Sequence, residues 1–275
     1  VTVTADDGVN STTQAVTYTI TDENDNRPII TSQNVFTVDE NQLSVGTVTI
    51  TDADGGSDDP DWKSFFISYG VDKDLFEIGE KTGVITFKTA PDYEARSEYN
   101  FQVNVSDGTL PETTQQVKVV IRDLNDNAPV FTSTATPAID ENTTDVVTLV
   151  TTDADTNPTV TYSITGGADA NNFAVTTDGV LTISGTDFES GKTSYEVIVT
   201  ATDNDDKNST PQDITVTIDD VNDNAPVFTS NASVSIDENT TDVVTLVTTD
   251  ADTNPTVTYQ ITGGTDGARF AVNST

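Results

Sequence analysis

The sequence predicts an all-β chain of tandem sandwich domains, and three observations carry that prediction. Short runs rich in Val, Ile, Thr and aromatics alternate apolar and polar residues with period two. Gly, Asp, Asn and Pro bound these runs, as expected where strands give way to turns. An acidic pattern recurs along the chain: 101 residues separate Asp25 from Asp126, and 97 separate Asp126 from Asp223. About seven runs fit in each interval, which suits a two-sheet sandwich with one solvated face per sheet.

Taken in order, the runs begin with Val1-Thr2-Val3-Thr4 and continue with Val45–Ile50, Val84–Phe87, Tyr99–Val105 and Gln116–Ile121. Each reads as a strand, and no segment reads as a helix of conventional length. The chain starts inside a strand-like run and carries neither a signal peptide nor a span of ~20 apolar residues. It is therefore read as a segment of a longer protein.

The composition narrows the chemistry. The 275 residues hold 11 Lys+Arg against 46 Asp+Glu, a formal net charge of −35, with no Cys, His or Met. So negative a chain is poorly matched to nucleic acid or anionic membrane. Thiol chemistry, disulfides, Cys/His zinc sites and a histidine base are excluded. What the chain supplies in quantity is oxygen ligands for hard cations.

Those oxygens are ordered. Asp22-Glu23-Asn24-Asp25-Asn26 precedes Arg27-Pro28, and Asp123-Leu124-Asn125-Asp126-Asn127 and Asp220-Val221-Asn222-Asp223-Asn224 each precede Ala-Pro. Fifteen residues after the second Asp of each comes a Glu in Asp-Glu-Asn: Glu40, Glu141 and Glu238. Twelve further on lies Asp-Ala-Asp, holding Asp52 and Asp54, Asp153 and Asp155, or Asp250 and Asp252. Asp92-Tyr93-Glu94 and Asp187-Phe188-Glu189 follow, then a late Asp in a turn: Asp107, Asp203 and, from an earlier unit, Asp7. The gap from Asp-Ala-Asp to Asp-aromatic-Glu varies, 40 residues from Asp52 to Asp92 but 34 from Asp153 to Asp187. The longer gap contains the turn-rich Gly55–Trp62, so the loop is free to vary while the acidic spacing is not. Ile139–Tyr162 and Ile236–Tyr259 are identical over 24 residues, which reads as recent duplication in a long array.

Carboxylates packed this closely repel one another unless a cation sits among them. Calcium takes six to eight oxygens from carboxylates, amides and carbonyls, whereas magnesium holds a stricter octahedron and keeps water. No stretch has EF-hand spacing, so the ligands must converge from distant parts of the chain. In a sandwich the loops gather at the two ends, beside the five-residue connectors.

These elements closely resemble the repeats of the cadherin family: a Glu near the first strand, an Asp-x-Glu triplet, an Asp-x-Asn-Asp-Asn connector, an Asp-x-Asp and a late Asp, in that order. The resemblance implies seven-stranded Greek-key, immunoglobulin-like sandwiches in a linear array. It also implies about three calcium ions per complete junction and extracellular, calcium-dependent adhesion. The implied repeats are 27–127 and 128–224, flanked by partial repeats 1–26 and 225–275. The implied ligands of the middle junction are Glu40, Asp92, Glu94, Asp123, Leu124, Asn125, Asp126, Asn127, Asp153, Asp155 and Asp203, with Glu40 and Asp126 each bridging two ions. Those of the last are Glu141, Asp187, Glu189, Asp220, Val221, Asn222, Asp223, Asn224, Asp250 and Asp252. Those of the first are Asp22, Glu23, Asn24, Asp25, Asn26, Asp52, Asp54 and Asp107.

The resemblance further implies a cell-surface location, anchoring through regions outside residues 1–275, and other cadherin-like repeats or a cell-surface ligand as partners. The family's central Arg is an aromatic here, and no Trp lies near the start of a repeat, so an exchange of Trp-anchored N-terminal strands does not carry over. A calcium-stiffened spacer that projects another domain is the alternative, and a catalytic reading of the Asp-x-Glu pairs is disfavoured because they recur beside further carboxylates. Trp62 is a candidate surface contact, and Phe65 or Phe66 a candidate core residue. Asn10, Asn104, Asn142, Asn208, Asn231, Asn239 and Asn273 head Asn-x-Ser/Thr triplets.

Overall fold

The computed structural model describes residues 1–21, 23–54, 63–156, 158–203 and 208–273. The chain divides into two compact units, Val1–Leu124 and Asn125–Thr275. Among the described residues the helical pieces are four three-residue 3₁₀ turns, and none is long and apolar enough to cross a membrane.

The first unit opens with a hairpin of β1 (Thr2–Asp6) and β2 (Ser11–Ala15). Then come β3 (Ile29–Ile30), β4 (Val35–Asp39), β5 (Ser44–Thr47), β6 (Ile50–Thr51), β7 (Ser64–Tyr69), β8 (Phe76–Ile78), β9 (Val84–Phe87), β10 (Glu98–Ser106) and β11 (Thr113–Arg122). One sheet runs β4-β11-β10-β7, with β4 parallel to β11, and the other runs β5-β9-β8, while β3 pairs with β6. Counting β3 with β4 and β5 with β6 gives seven runs, the number expected. The run expected at Val45–Ile50 is broken in two. Its first half pairs with β9 and its second with β3, and between them Val48 turns inward, 1% exposed, donating its N–H to the Gly83 carbonyl at 2.8 Å. The strand breaks because it crosses from one sheet to the other.

Period-two alternation fills the core. Phe101, Val103 and Val105 of β10 and Val117, Val119 and Ile121 of β11 point inward against Ile85, Phe87 and Phe76 of the opposite sheet. Phe65 joins them as a core residue, whereas Trp62 lies outside the described residues.

The second unit repeats the plan. Its strands are β12 (Val130–Phe131), β13 (Ala138–Asp140), β14 (Asp145–Thr148), β15 (Thr151–Thr152), β16 (Thr161–Gly166), β17 (Phe173–Val175), β18 (Val180–Ile183), β19 (Ser194–Thr202) and β20 (Ser209–Asp219). The sheets run β13-β20-β19-β16 and β14-β18-β17, closed over Leu149, Leu181, Ile183, Val197, Val199, Ile214, Val216 and Ile218. Beyond them, among the described residues, the strands are β21 (Val227–Phe228) and β22 (Thr248–Thr249), paired with each other.

Both sandwiches use a glycine where backbones touch. Gly70 has φ +118°, and a Cβ there would lie 2.5 Å from Phe101 Cα; Gly167, at φ +108°, would meet Val197 Cα at 2.4 Å. Gly108 has φ +85° but open space around it. Gly70→Ala should therefore destabilise its sandwich by about 3 kcal/mol and Gly108→Ala by about 1 kcal/mol. Denaturant unfolding of the two variants measures the difference, and equal losses would contradict the close approach.

Candidate metal centre

The connectors and acidic triplets gather at the sandwich ends, and the same local devices build each cluster. The Glu that follows the first long strand comes first. Glu40 is 2% exposed; its Oε2 accepts the Tyr93 N–H at 2.7 Å and its Oε1 accepts the Leu124 N–H at 2.8 Å. Glu141, also 2% exposed, accepts the Phe188 N–H at 2.7 Å and the Val221 N–H at 2.9 Å in the same way. One buried carboxylate thus ties the acidic triplet to the connector. The following Asn makes this possible: Asn41, Asn142 and Asn239 have φ of 62°, 58° and 64°, in the left-handed region that Asn tolerates. Glu238, the third such Glu, is exposed.

The triplet Asp acts as a cap. Asp92 Oδ1 accepts the N–H groups of Glu94 (3.0 Å) and Ala95 (3.2 Å), and Asp187 Oδ1 accepts that of Ser190 (3.2 Å). Glu40, Asp92 and Glu94 bring one oxygen each within 4.8 Å of the others. Lost solvation, the Glu40 charge and the Asp92 and Asp123 carboxyls together push Glu94 up to about 7 from 4.5.

In the second unit Asp153, Asp155 and Asp203 bring their oxygens within 4.8 Å. Asp155 accepts the Asn127 N–H (3.0 Å) and the Asn127 amide (2.8 Å), and that amide also reaches Asp126 Oδ1 (2.9 Å). The Asn125 amide sits 3.0 Å from Asp203 Oδ2 and 2.8 Å from Asp155 Oδ2 and donates to both when its nitrogen faces them. Burial, and then the charges of Asp155 and Asp203, raise the pKa of Asp153.

The cluster at the third connector lies wholly inside this unit. Glu141, Glu189 and Asp223 form one group within 4.8 Å, and Glu189, Asp220 and Asp252 another. Carboxylates on both sides of the connector are thereby brought together. Asn224 donates to Asp252 Oδ2 (3.0 Å) and Oδ1 (2.9 Å), and the Asn142 amide donates to Asp223 (2.7 Å). Lost solvation leads the rise of Glu189 to about 7, followed by the Glu141 charge and by Asp220 and Asp187. Asp250 accepts the Asp252 N–H at 3.3 Å rather than joining either group.

At the first connector Asn26 donates its N–H and its amide to Asp54, and the amide also reaches Asp25 Oδ1 at 2.8 Å. Asp107, 6% exposed, accepts the N–H groups of Thr109 (2.9 Å) and Leu110 (2.8 Å). Asp22 lies outside the described residues; Glu23, Asn24 and Asn222 are exposed.

The oxygens left over bear directly on a cation. Asp52 Oδ2, Asp107 Oδ2, Asp153 Oδ2, Glu189 Oε1 and Asp220 Oδ1 are buried without a hydrogen-bond donor. Buried carboxylate oxygens without a partner are costly, and a divalent ion with an all-oxygen shell satisfies them. The residues therefore fit a calcium site. Three contributors escaped the sequence reading: Asn142, Asn208, which donates to the Asn125 carbonyl (3.3 Å), and Thr253, whose N–H reaches Asp220 at 2.6 Å. Asn142 and Asn208 did stand out, but as glycosylation triplets. A third triplet, Asn104, is 6% exposed and donates to Glu112 at 2.5 Å, so it is closed to modification in the fold.

The family profile described as Cadherin domain matches residues 34–122 and 136–219. The chain belongs to the cadherin family. Mouse "Cadherin EGF LAG seven-pass G-type receptor 3" is 31% identical over 97% of this chain, which spans 9% of that protein. Mouse "Protocadherin Fat 4" is 34% identical over 92% of the chain and 5% of its own length. The chain thus spans less than a tenth of either curated relative. The crystal structure of the protocadherin gammaB4 extracellular domain aligns at 31% identity with TM-score 0.61, covering 89% of this chain and 41% of that one. These cadherin neighbours share the tandem sandwich architecture.

The raised carboxyls set a pH dependence for the ion-free protein. Glu94 and Glu189 bind a proton more tightly folded, at about 7, than unfolded, at 4.5. Their protonation favours the fold fully below about 4.5, and that stabilisation is lost as pH rises through about 7. In chelator the melting temperature should fall between about pH 5 and 7.5, and Glu94→Gln/Glu189→Gln should flatten the profile. A melting temperature that climbs over this range would contradict the crowding.

Proposed function

We propose that this chain is a segment of a calcium-dependent, extracellular cell-adhesion protein, its repeats stiffened by calcium at the connectors. The observation that carries the reading is the grouping of Glu189, Asp220 and Asp252 within 4.8 Å, because these carboxylates come from before, within and after one connector. A cation held by all three fixes one repeat against the next. The repeats are taken as 27–127 and 128–224, with partial repeats 1–26 and 225–275.

The ligand set proposed is the one expected from the sequence, with about three calcium ions at each complete junction. When bound, calcium supplies positive charge and a coordination shell. The chain's own residues do the rest. Glu40 and Glu141 hold the connectors, Asp92 and Asp187 hold the triplets, and the orphaned oxygens of Asp52, Asp107, Asp153, Glu189 and Asp220 are the acceptors that want a cation. The orientation of Asn125 that turns its oxygen toward Asp155 and Asp203 is the one a cation selects. The partners proposed are other cadherin-like repeats or a surface ligand.

A second reading, a spacer that only projects another domain, is favoured by the 24 identical residues of Ile139–Tyr162 and Ile236–Tyr259. Repeats that recognise partners diverge at their contact surfaces; repeats that serve as rods need not. Beads coated with the chain should aggregate in calcium if it adheres and stay dispersed if it is a spacer.

Calcium should raise the melting temperature in the millimolar range typical of extracellular sites. One site at ten times its Kd contributes about 1.4 kcal/mol, worth about 7 °C in a domain of ~100 residues. Asp126→Ala should change the melting temperature in chelator by little, because Asp126 is exposed and the Asn127 amide it accepts also bonds Asp155, yet remove most of the calcium response. Glu40→Ala should lower it even in chelator, because two N–H groups lose their acceptor. An Asp126→Ala titration that overlays the parent's would overturn its place in the ligand set.

A further inference from the structure

Asp72 is a buried carboxylate that stands in none of the acidic groups described above. It is 2% exposed and precedes the 3₁₀ turn Lys73–Leu75. Its Oδ1 accepts Arg96 Nη1 at 2.5 Å, and its Oδ2 accepts Arg96 Nη2 and the Asn100 N–H, each at 2.7 Å. A guanidinium is a planar fork suited to this two-point bond. Arg96 also donates through Nε to the Glu98 carbonyl at 2.8 Å, and its guanidinium lies 4.6 Å from the centre of the Tyr99 ring. That ring packs edge-on against Phe76 and Phe87 in the core.

Arg96 also ends the turn that carries the acidic triplet. Its N–H donates to the Asp92 carbonyl at 2.9 Å, closing the turn whose Glu94 and Ala95 N–H groups Asp92 Oδ1 accepts. The turn is therefore anchored at two points: Glu40 takes the Tyr93 N–H, and Asp72 holds Arg96. The Asp72 anchor takes no oxygen from the carboxylates of Asp92 and Glu94.

The second sandwich builds the same device from different parts. Asp169, its side chain 13% exposed, accepts the Glu196 N–H at 3.0 Å and the Lys192 ammonium. Lys192 Nζ lies 4.7 Å over the Tyr195 ring. Lys192 stands five residues after Asp187, whereas Arg96 stands four after Asp92, and the longer turn contains Gly191 at φ +81°. The cation and the turn length differ, yet the Asp, the cation and the ring stay together.

We propose that Asp72 and Arg96 are positioning residues for the cation ligands Asp92 and Glu94, and that Asp169 and Lys192 serve Asp187 and Glu189 less tightly. This rests on the calcium reading above. Arg96 fixes its turn by two parallel bonds to a buried anchor. An ammonium is a single point on a flexible stem, and a glycine in the turn adds freedom. The first triplet is the better preorganised of the two, and residues that hold ligands in this way set metal affinity by roughly 10–100-fold.

Two variants of the 275-residue chain separate positioning from bulk stability. Asp72→Asn/Arg96→Gln removes both charges together, so no buried carboxylate is stranded. Arg96→Lys keeps the charge and loses the fork. In chelator, hydrogen exchange at the Glu94 and Ala95 N–H groups should quicken in the double variant, and less so in Arg96→Lys. In calorimetric calcium titrations the double variant should weaken one class of sites about tenfold or more, and Arg96→Lys by less. Asp169→Asn/Lys192→Gln should weaken a different class by a smaller factor. In an Asp92→Asn/Glu94→Gln background, which keeps the capping oxygen but removes the ligand charges, the double variant should have no further effect on calcium. Unchanged exchange at Glu94 and Ala95 overturns the proposal. So does a double variant that melts lower yet titrates as the parent does, since the ion pair would then serve the fold alone. A calcium loss that persists in full without the ligand charges overturns it too. A parent chain that takes up no calcium refutes the calcium reading itself, and the proposal with it.

Discussion

The cluster at each connector holds an aspartate under the same constraint: a carboxylate has two oxygens, and the loop uses only one of them. Asp52 Oδ1 accepts the Asp54 N–H while Oδ2 is buried alone; Asp153 repeats the arrangement with Asp155. Asp107 fastens its turn through Oδ1 and leaves Oδ2 without a donor, and Asp220 fastens Thr253 through Oδ2 and leaves Oδ1. The engaged oxygen shapes the backbone, so these aspartates are positioned before any cation arrives. The other oxygen stays desolvated beside further negative charge, an unfavourable state that protonation or a divalent ion relieves. Preorganisation and repulsion come from the same residue. Other carboxylates engage both oxygens: Asp54, Asp155 and Asp252 each take the N–H and the amide of one connector Asn, and Glu40 and Glu141 take two backbone N–H groups each, which hold the triplet and connector together whether or not an ion is present.

The identical segments Ile139–Tyr162 and Ile236–Tyr259 separate local from tertiary causes of structure. Local features survive in both. The Thr151 hydroxyl meets Tyr162 Oη at 3.1 Å, as Thr248 meets Tyr259 at 3.1 Å, and the ring pairs Phe131–Tyr162 and Phe228–Tyr259 both sit 6.0 Å apart. The left-handed Asn recurs at Asn142 and Asn239. Strand formation survives where the partner strand is at hand: Thr248–Thr249 pairs with Val227–Phe228 as Thr151–Thr152 pairs with Val130–Phe131, whereas Ile139 is in β13 beside β20 and Ile236 is in no strand. Identical propensity therefore yields a strand only where a partner strand lies beside it, which is how β structure behaves generally.

Much of the fold was legible for the same reason. Alternation marks which side chains face inward, so β9 at Val84–Phe87 coincides with the expected run, and β10 and β11 extend theirs by a few residues. The break between β5 and β6 was not legible, because both halves of Val45–Ile50 alternate alike and only the partner sheet differs. Within the clusters, acidic spacing singled out Glu189, Asp220 and Asp252, but not the polar residues that position them. Thr253 and Asn208 occur in ordinary Thr- and Asn-rich stretches, and their roles depend on contacts 33 and 83 residues away. Asn142 was visible within Asp-Glu-Asn, but its left-handed backbone is a property of the turn, not of the spacing.

The spacing itself measures the sandwich. Asn26 and Asp54 are bonded, and so are Asn127 and Asp155, and Asn224 and Asp252; each pair lies 28 residues apart. The Glu of Asp-Glu-Asn stands midway, fourteen residues from either partner, at Glu40, Glu141 and Glu238. In the two complete repeats the chain leaves one cluster, runs the length of the sandwich to a Glu bonded to the next connector, and returns by a strand that begins in the opposite sheet. Fourteen residues at about 3.3 Å each reach at most ~46 Å, enough for one strand and its turns. An insertion in either leg would pull Asn26 from Asp54 or Glu40 from Leu124. An insertion after Asp54 lengthens neither leg. The six-residue difference between repeats falls there, between Asp54 and Asp92, where no cluster constrains the length.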